Sequence, residues 1–472
     1  MTDRVRLLPL IIVVLPMLGL CDNVLPPGIQ SSLNLRKVPD SSLSIYVENL
    51  DTGERVLSWN EDVPRNPASV IKLLTTLVAL DVLGPAYSWK TEAYLLGETD
   101  GSVLDGDLLL KGYGDPFLVT ARVWQMLREI RQKGISRITG DLLIDDSYFD
   151  VPYHDPAKFD REPLRAYNVA PNALLMNFKV VRYHFEPDLE SATVSIRVDP
   201  PLENLRIENR LKVVQGRCRG YQRGITITPN ETVDHMVMSG QFPSGCKSYA
   251  MHRAVLSHNE FAYGLFKSIW QESGGEFSGG LRNVVKPDDI EPFLVFESLP
   301  LADIISKVNK HSNNVMARQL LFTLGAERFV VPGTEEGGRQ VIEDWLKSRQ
   351  LGSAKLKLDN GAGLSRDSRI SARNLGEILR YAWQSPFMPE YLSSLSLSGL
   401  DGTLMRRFRD DPLTGKAHIK TGRLDHVTAI AGYLQSRSGA RYSIVALQNH
   451  TDVHRGPGEE VQAALLRWLY EQ

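Results

Sequence analysis

The sequence predicts an α+β fold of several domains. Antiparallel strands packed with helices form a platform from the two ends of the chain, and two further units are inserted between them. Three observations lead there. Residues 42–59 ("SLSIYVENLDTGERVLSW") alternate apolar and polar positions around Thr52-Gly53, the pattern of a hairpin, and an apolar helix follows. The chain closes on three strand-like runs and an amphipathic helix. Between these ends its character changes twice, first to glycine- and aspartate-rich mixed α/β material, then to short alternating runs with no helix among them. A chain of 472 residues has the length for such a multidomain arrangement.

The expected divisions are 1–24 as a secretory signal, 25–92 with 296–472 as the platform, 93–188 with 256–295 as the mixed α/β unit, and 189–255 as the β-rich unit. At the start, Arg4 and Arg6 precede the apolar run "LLPLIIVVLPMLGL" at 7–20. It is short for a membrane span and carries two prolines, so it matches an export signal. Cys21 follows, but Leu20 is large where lipid attachment calls for a small residue, so ordinary cleavage nearby is the preferred reading.

The apolar helix beginning near Ser69 is stopped by Gly84-Pro85. Residues 101–118 ("GSVLDGDLLLKGYGDPFL") are strand and turn material, 119–133 read as a helix, and "ITGDLLIDDSYFD" follows at 138–150. From 191 to 240 short strands dominate, with Val194, Ile196 and Val198 on one face. Cys218 and Cys246 lie 28 positions apart in this glycine-punctuated region. In an exported chain they are expected to form a disulfide where a small core gains most from one. Neither sits in a C-x-x-C or histidine-rich context, which argues against zinc. Helical periodicity returns at 259–272, 301–324, 337–349 and 372–383. The closing strands are "AHIKTG", "VTAIAGYLQS" and "RYSIVALQN", with Ser438-Gly439 turning between the last two.

Lys and Arg total 54 against 56 Asp and Glu, for a formal net charge of -2. Without a basic excess, nucleic-acid binding is not expected. The ten histidines form no ligand pair at helical spacing, so no metal is expected, and nothing calls for a cofactor.

Three short motifs carry chemistry. Ser69-x-x-Lys72 opens the apolar helix, placing both side chains on nearly one face. The helix dipole favours negative charge developing near Ser69. A lysine in an apolar site has its pKa lowered by desolvation and by a second cation, and the neutral amine can then take the serine proton. Taken alone the motif also fits an N-cap serine with a lysine reaching solvent, and Ser244-Gly-Cys-Lys247 repeats its spacing. Ser312-Asn313-Asn314 heads another helix; a hydroxyl there can relay a proton and an amide can hold a carbonyl or an amine. Helix capping is its alternative. Lys420-Thr421-Gly422 ends a strand, where a cation and a hydroxyl can grip a carboxylate and the glycine admits substrate to the backbone. An ordinary turn is its alternative.

All three occur in the order S-x-x-K, S-x-N, K-T-G, the signature of penicillin-binding proteins and class A β-lactamases. The chain resembles the low-molecular-mass class C penicillin-binding proteins, D-alanyl-D-alanine carboxypeptidases/endopeptidases of the penicillin-binding protein 4 type. The likeness covers nearly the whole mature chain, with "GYGDP" at 112–116, "GDLLIDDSYFD" at 140–150, "DNGAGLSR" at 359–366 and "LSGLDGTL" at 397–404 as further blocks. The long gap between Ser69 and Ser312 fits two inserted domains and sets the chain apart from β-lactamases.

The resemblance implies a β-lactamase/transpeptidase-like domain split by two insertions. It implies Ser69 as the nucleophile, Lys72 as its base, and Ser312 as the group passing a proton to the leaving amine. Asn314 would position substrate and lysine, and Lys420 and Thr421 would bind the terminal carboxylate, with Gly422 beside them. The oxyanion hole would be the N–H groups of Ser69 and Arg423. Position 423 is usually threonine or serine in this family, so a hydroxyl that reads the carboxylate is missing here. Asp359, Asn360 and Arg366 lie in a family block that also fits a plain turn, and His311 and His418 merely flank motifs. The implied partners are peptidoglycan stem peptides and cross-links, and β-lactam antibiotics. The implied compartment is the periplasm, with peripheral association as the form of membrane contact left open. A β-lactamase-like hydrolase and a non-catalytic wall-binding protein keeping the fold are the rival readings.

Overall fold

The computed structural model describes residues 24–220, 224–329, 332–352 and 355–472. The expected signal and Cys21 lie outside the described residues. No described helix is long and apolar enough to cross a membrane.

The two ends of the chain meet in one six-stranded sheet, ordered Ser396–Leu397, Ala417–Leu424, Val427–Gln435, Arg441–Asn449, Leu43–Asn49 and Arg55–Trp59. Every pairing is antiparallel. The register runs from Leu43 opposite Gln448 to Asn49 opposite Tyr442, so the N-terminal hairpin adds directly to the last strand. Both faces are covered, which is why the strand Val427–Gln435 reads as a nearly continuous apolar run. Its Ala429, Ala431 and Tyr433 join the core under helices Lys72–Leu83, Asn314–Arg328 and Ala372–Gln384. Its Ile430 and Leu434 join a second core beneath Pro27–Leu35 and the closing helix Pro457–Tyr470. The helix Pro27–Leu35 was not legible in the sequence; it buries only Ile29 and Leu33, too few positions to establish a period.

The insertions form two more sheets. One has seven strands and mixes parallel and antiparallel pairs, with helices Thr120–Gln132 and His258–Glu272 packed on it. The other has six strands between Val180 and Ala254. A continuous core joins the two, from Leu104 and Leu108 to Tyr183, Phe185, Met236 and Met238.

Two sequence expectations shift. The strand Val180–Asp188, assigned above to the mixed unit, pairs with Thr193–Asp199 and Tyr249–Ala254 in the β-rich sheet. The turn at 189–192 makes it the first arm of a hairpin, and its buried Val181, Tyr183 and Phe185 continue the alternation beyond. The helix expected over 301–324 divides into Leu301–Lys310 and Asn314–Arg328, with Ser312 between them at φ +54°.

Cys218 and Cys246 are disulfide-bonded, joining the loop after strand Arg206–Val214 to the segment after His235–Pro243. Replacing both cysteines by serine is expected to destabilise this sheet by about 3 kcal/mol. The check is amide exchange across strand His235–Pro243, which should lose protection while the platform sheet keeps its own.

Candidate active site

Ser69 lies in a 3₁₀ turn, Ala68–Ile71, that leads into the α-helix Lys72–Leu83. A 3₁₀ turn repeats every three residues, so Ser69 and Lys72 stand directly above one another. Lys72 Nζ donates to Ser69 Oγ at 3.0 Å. The capping alternative fails here: neither helix start has a side-chain cap, and Lys72 is completely buried.

Lys72 Nζ also donates to Asn314 Oδ1 at 2.6 Å and to the carbonyl oxygen of Ala362. These partners are all neutral. Burial, and secondarily the nearby Lys420, hold its pKa well below the usual 10.5. A lysine so placed can exist as the free amine at pH values where an ordinary lysine is charged, and accept the proton of the hydroxyl beside it.

The backbone around Ser69 is held tightly. Ala68 has φ +47°, a left-handed conformation that costs a residue with a side chain about 1 kcal/mol or more. Two glycines press on it. A Cβ on Gly363 (φ +79°) would lie 2.0 Å from the Ala68 carbonyl oxygen, and one on Gly422 would lie 2.6 Å from that of Pro67 and 3.1 Å from the Ser69 nitrogen. Asn360 fixes the loop bearing Gly363: its Oδ1 accepts from the N–H of Ala362 at 3.0 Å and of Gly363 at 3.2 Å. That turn directs the Ala362 carbonyl at Lys72, so Asn360 acts through the backbone.

The facing wall comes from the break between helices. Asn313 takes the capping role, accepting from the Met316 N–H at 3.1 Å, which leaves Ser312 and Asn314 to face the cleft. Lys420 Nζ donates to Ser312 Oγ at 2.9 Å and to the Thr421 carbonyl at 2.8 Å. It too is completely buried, which brings its pKa down to about 7. Thr421 Oγ1 donates to Thr403 Oγ1 at 2.8 Å. The Arg423 side chain is largely exposed, 3.5 Å from Glu459 Oε1.

Ser69, Ser312, Thr421, Gly422 and Arg423 line one cavity of about 300 Å³. Lys72 and Asn314 stand behind Ser69, and Lys420 behind Ser312. The seven residues given roles in the three motifs, Ser69, Lys72, Ser312, Asn314, Lys420, Thr421 and Gly422, are therefore gathered at one cleft together with Arg423. Arg407 and Thr403 also line the cavity; the sequence assigns neither a role, Thr403 lying in the block at 397–404 and Arg407 just beyond it. His311 and His418 do not line it. Arg366 lies apart, over the Phe159 ring at 4.7 Å.

Among the described residues His426, Asp452 and His454 cluster as metal ligands would. Each imidazole already uses Nδ1 to accept a backbone N–H, His454 from His426 at 2.8 Å and His426 from Asp452 at 3.2 Å. That tautomer carries its proton on Nε2, so both rings are set to hold a turn and not to coordinate through Nε2.

The D-Ala-D-Ala carboxypeptidase 3 (S13) family matches residues 28–472. The chain belongs to this family. It is thus a serine-type hydrolase of the D-Ala-D-Ala carboxypeptidase class. The D-alanyl-D-alanine carboxypeptidase of Actinomadura sp. strain R39 is 27% identical over 432 residues, 88% of this chain and 78% of that protein. Penicillin binding protein 4 of Haemophilus influenzae, a crystal structure, superposes with a TM-score of 0.79 at 21% identity, covering 94% of this chain and 99% of that one. A predatory endopeptidase of Bdellovibrio bacteriovorus, acylated by penicillin G, matches with a TM-score of 0.51 at 16% identity over 90% of this chain and 89% of its own. At these identities the likeness establishes the fold, an α+β multidomain architecture.

Proposed function

We propose that the chain is an exported D-alanyl-D-alanine carboxypeptidase and D,D-endopeptidase of peptidoglycan peptides, working through an acyl-enzyme at Ser69 and acylated there by β-lactams. The observation that carries this reading is the buried Lys72 amine, 3.0 Å from Ser69 Oγ with only neutral partners. Lys72 takes the Ser69 proton as Oγ bonds to the carbonyl carbon of the penultimate D-alanine. The backbone N–H groups of Ser69 and Arg423 receive the oxyanion. Arginine at 423 leaves that N–H in place. As the C–N bond breaks, Ser312 passes to the departing amine the proton that Lys72 took from Ser69, so both groups return to their neutral forms, and D-alanine or a cross-linked stem leaves. Water then attacks the ester, giving a proton to Lys72, which returns it to Ser69 Oγ as the ester bond breaks. Asn314 holds the lysine, and Lys420 orients Ser312.

Acylation of the Bdellovibrio endopeptidase by penicillin G supports the same reactivity here. The three sheets support a division into a discontinuous catalytic domain and two insertions. The test is D-alanine release from an acyl-D-Ala-D-Ala peptide, with peptide mapping of the adduct formed by labelled penicillin. A penicilloyl group on the Ser69 peptide is expected. An adduct elsewhere, or no D-alanine release, overturns the proposal, and fast turnover of the drug would mark a β-lactamase instead.

Gly363→Ala provides a geometric check. A methyl group 2.0 Å from the Ala68 carbonyl must displace the Ser69 turn. Misplacing a nucleophile by about 1 Å costs about 100-fold. The rate of penicillin acylation should fall by that amount, while circular dichroism shows a folded chain.

A further inference from the structure

The cavity in front of Ser69 contains a cation that none of the three motifs includes. Arg407 follows the short helix Gly402–Leu404 and lines the cavity with Ser69, Ser312, Thr421 and Arg423. Its hydrogen-bond partners are neutral: Nη1 donates to Gln462 Oε1 at 3.1 Å and Nη2 to the Glu459 carbonyl oxygen at 3.3 Å. Its guanidinium lies 5.2 Å from the centre of the Phe408 ring. Among the described residues no carboxylate is paired with it at ion-pair distance: Glu459 acts on it only through charge, and the Glu459 side chain is engaged by Arg423 at 3.5 Å. Two guanidinium groups face one carboxylate, which leaves one positive charge unmatched inside the cavity. A guanidinium withdrawn from water and bonded only to neutral groups favours an anion that can reach it.

The other cations are less well placed. Side chains alternate along a strand, so Lys420 points to the face holding Ser312, while Thr421 and Arg423 point to the opposite face. Lys420 is occupied by Ser312 and by its own strand, and burial brings it to about 7, where its charge is half lost. Arg423 is more exposed and already paired. Arginine keeps its charge throughout the physiological range.

We propose that Arg407, with the Thr421 hydroxyl, binds the free carboxylate of the substrate's terminal residue and sets the enzyme's preference for a carboxyl over a neutral terminus. This rests on the acyl-enzyme reading above. It reassigns the charge role that the resemblance gives to Lys420, and it accounts for how position 423 can lose its hydroxyl.

The test compares kcat/KM for an acyl-D-Ala-D-Ala peptide and for the same peptide ending in a carboxamide. In Arg407→Gln the ratio of the two is expected to fall about 100-fold, the size of one charge-assisted pair lost from a buried site. Arg407→Lys keeps a point charge without the planar fork and is expected to lose about tenfold; it also covers failure of the glutamine variant to fold. A merely structural role lowers both substrates alike, so an unchanged ratio in the folded variants overturns the assignment. Failure of the underlying reading looks different: Ser69→Ala would then turn over both peptides as wild type does.

Discussion

Replacing Lys72 by methionine is expected to slow acylation of Ser69 by about 10⁴-fold and to change how stability depends on pH. The first effect follows from geometry. Lys72 Nζ is the basic group on Ser69 Oγ, at 3.0 Å, and no histidine lines the cavity to replace it. The second follows from burial. Between its lowered pKa and the ordinary 10.5, Lys72 is neutral when folded and charged when unfolded. The unfolded state therefore binds one more proton, and this group makes stability rise with pH by about 1.4 kcal/mol per unit. Methionine removes that slope. It also leaves Asn314 Oδ1 and the Ala362 carbonyl without their donor, which costs about 1–3 kcal/mol each. The level of stability thus mixes opposing contributions, whereas the difference in slope between the two proteins reports the loss of Lys72, the other buried lysines being common to both. Denaturant midpoints of both proteins from pH 7 to 9, beside stopped-flow penicillin acylation, check both effects. An unaltered slope would mean that Lys72 is charged in the folded protein and is no base.

What the sequence disclosed about this site, and what it hid, has a physical reason. Ser69 and Lys72 are local: three residues apart in one turn, they meet in either type of helix. Ser312 and Lys420 were found through motif order, although their contact spans 108 residues. The Ala362 carbonyl, 290 residues from Lys72, leaves no trace in any pattern, because a backbone acceptor has no residue identity. Arg407 was equally silent. It belongs to no periodic element, and only the closing helix, through Glu459 and Gln462, gives it a place at the cavity. Fold class was easier, since the apolar alternation of the closing strands reflects a sheet covered on both faces. The boundary at Val180–Asp188 was misread because an alternating strand looks the same whichever sheet it joins.

Lys420→Met is expected to slow acylation by about 10³-fold and to move the acid limb of the pH profile upward. Its Nζ donates to Ser312 Oγ at 2.9 Å, and in the proposed mechanism this orients the hydroxyl that serves the leaving group. Without it that hydroxyl is free to rotate, and its proton is no longer directed. The pH effect comes from charge. Lys420 is one of the two causes that depress Lys72, the larger being burial. Below about 7 Lys420 gains its proton, and a second positive charge beside Lys72 keeps the latter's amine free to lower pH. Methionine removes that repulsion, so Lys72 holds its proton to higher pH and the rising limb shifts toward alkali. The defect should therefore be greatest in acid and shrink as pH rises, a trend that simple misfolding would not produce. The two amines titrate as a pair, so the quantity to compare is the midpoint of the whole limb, taken from kcat/KM between pH 5 and 9. If the midpoint stays in place while the rate falls, Lys420 acts on Ser312 alone, and the depression of Lys72 belongs to burial.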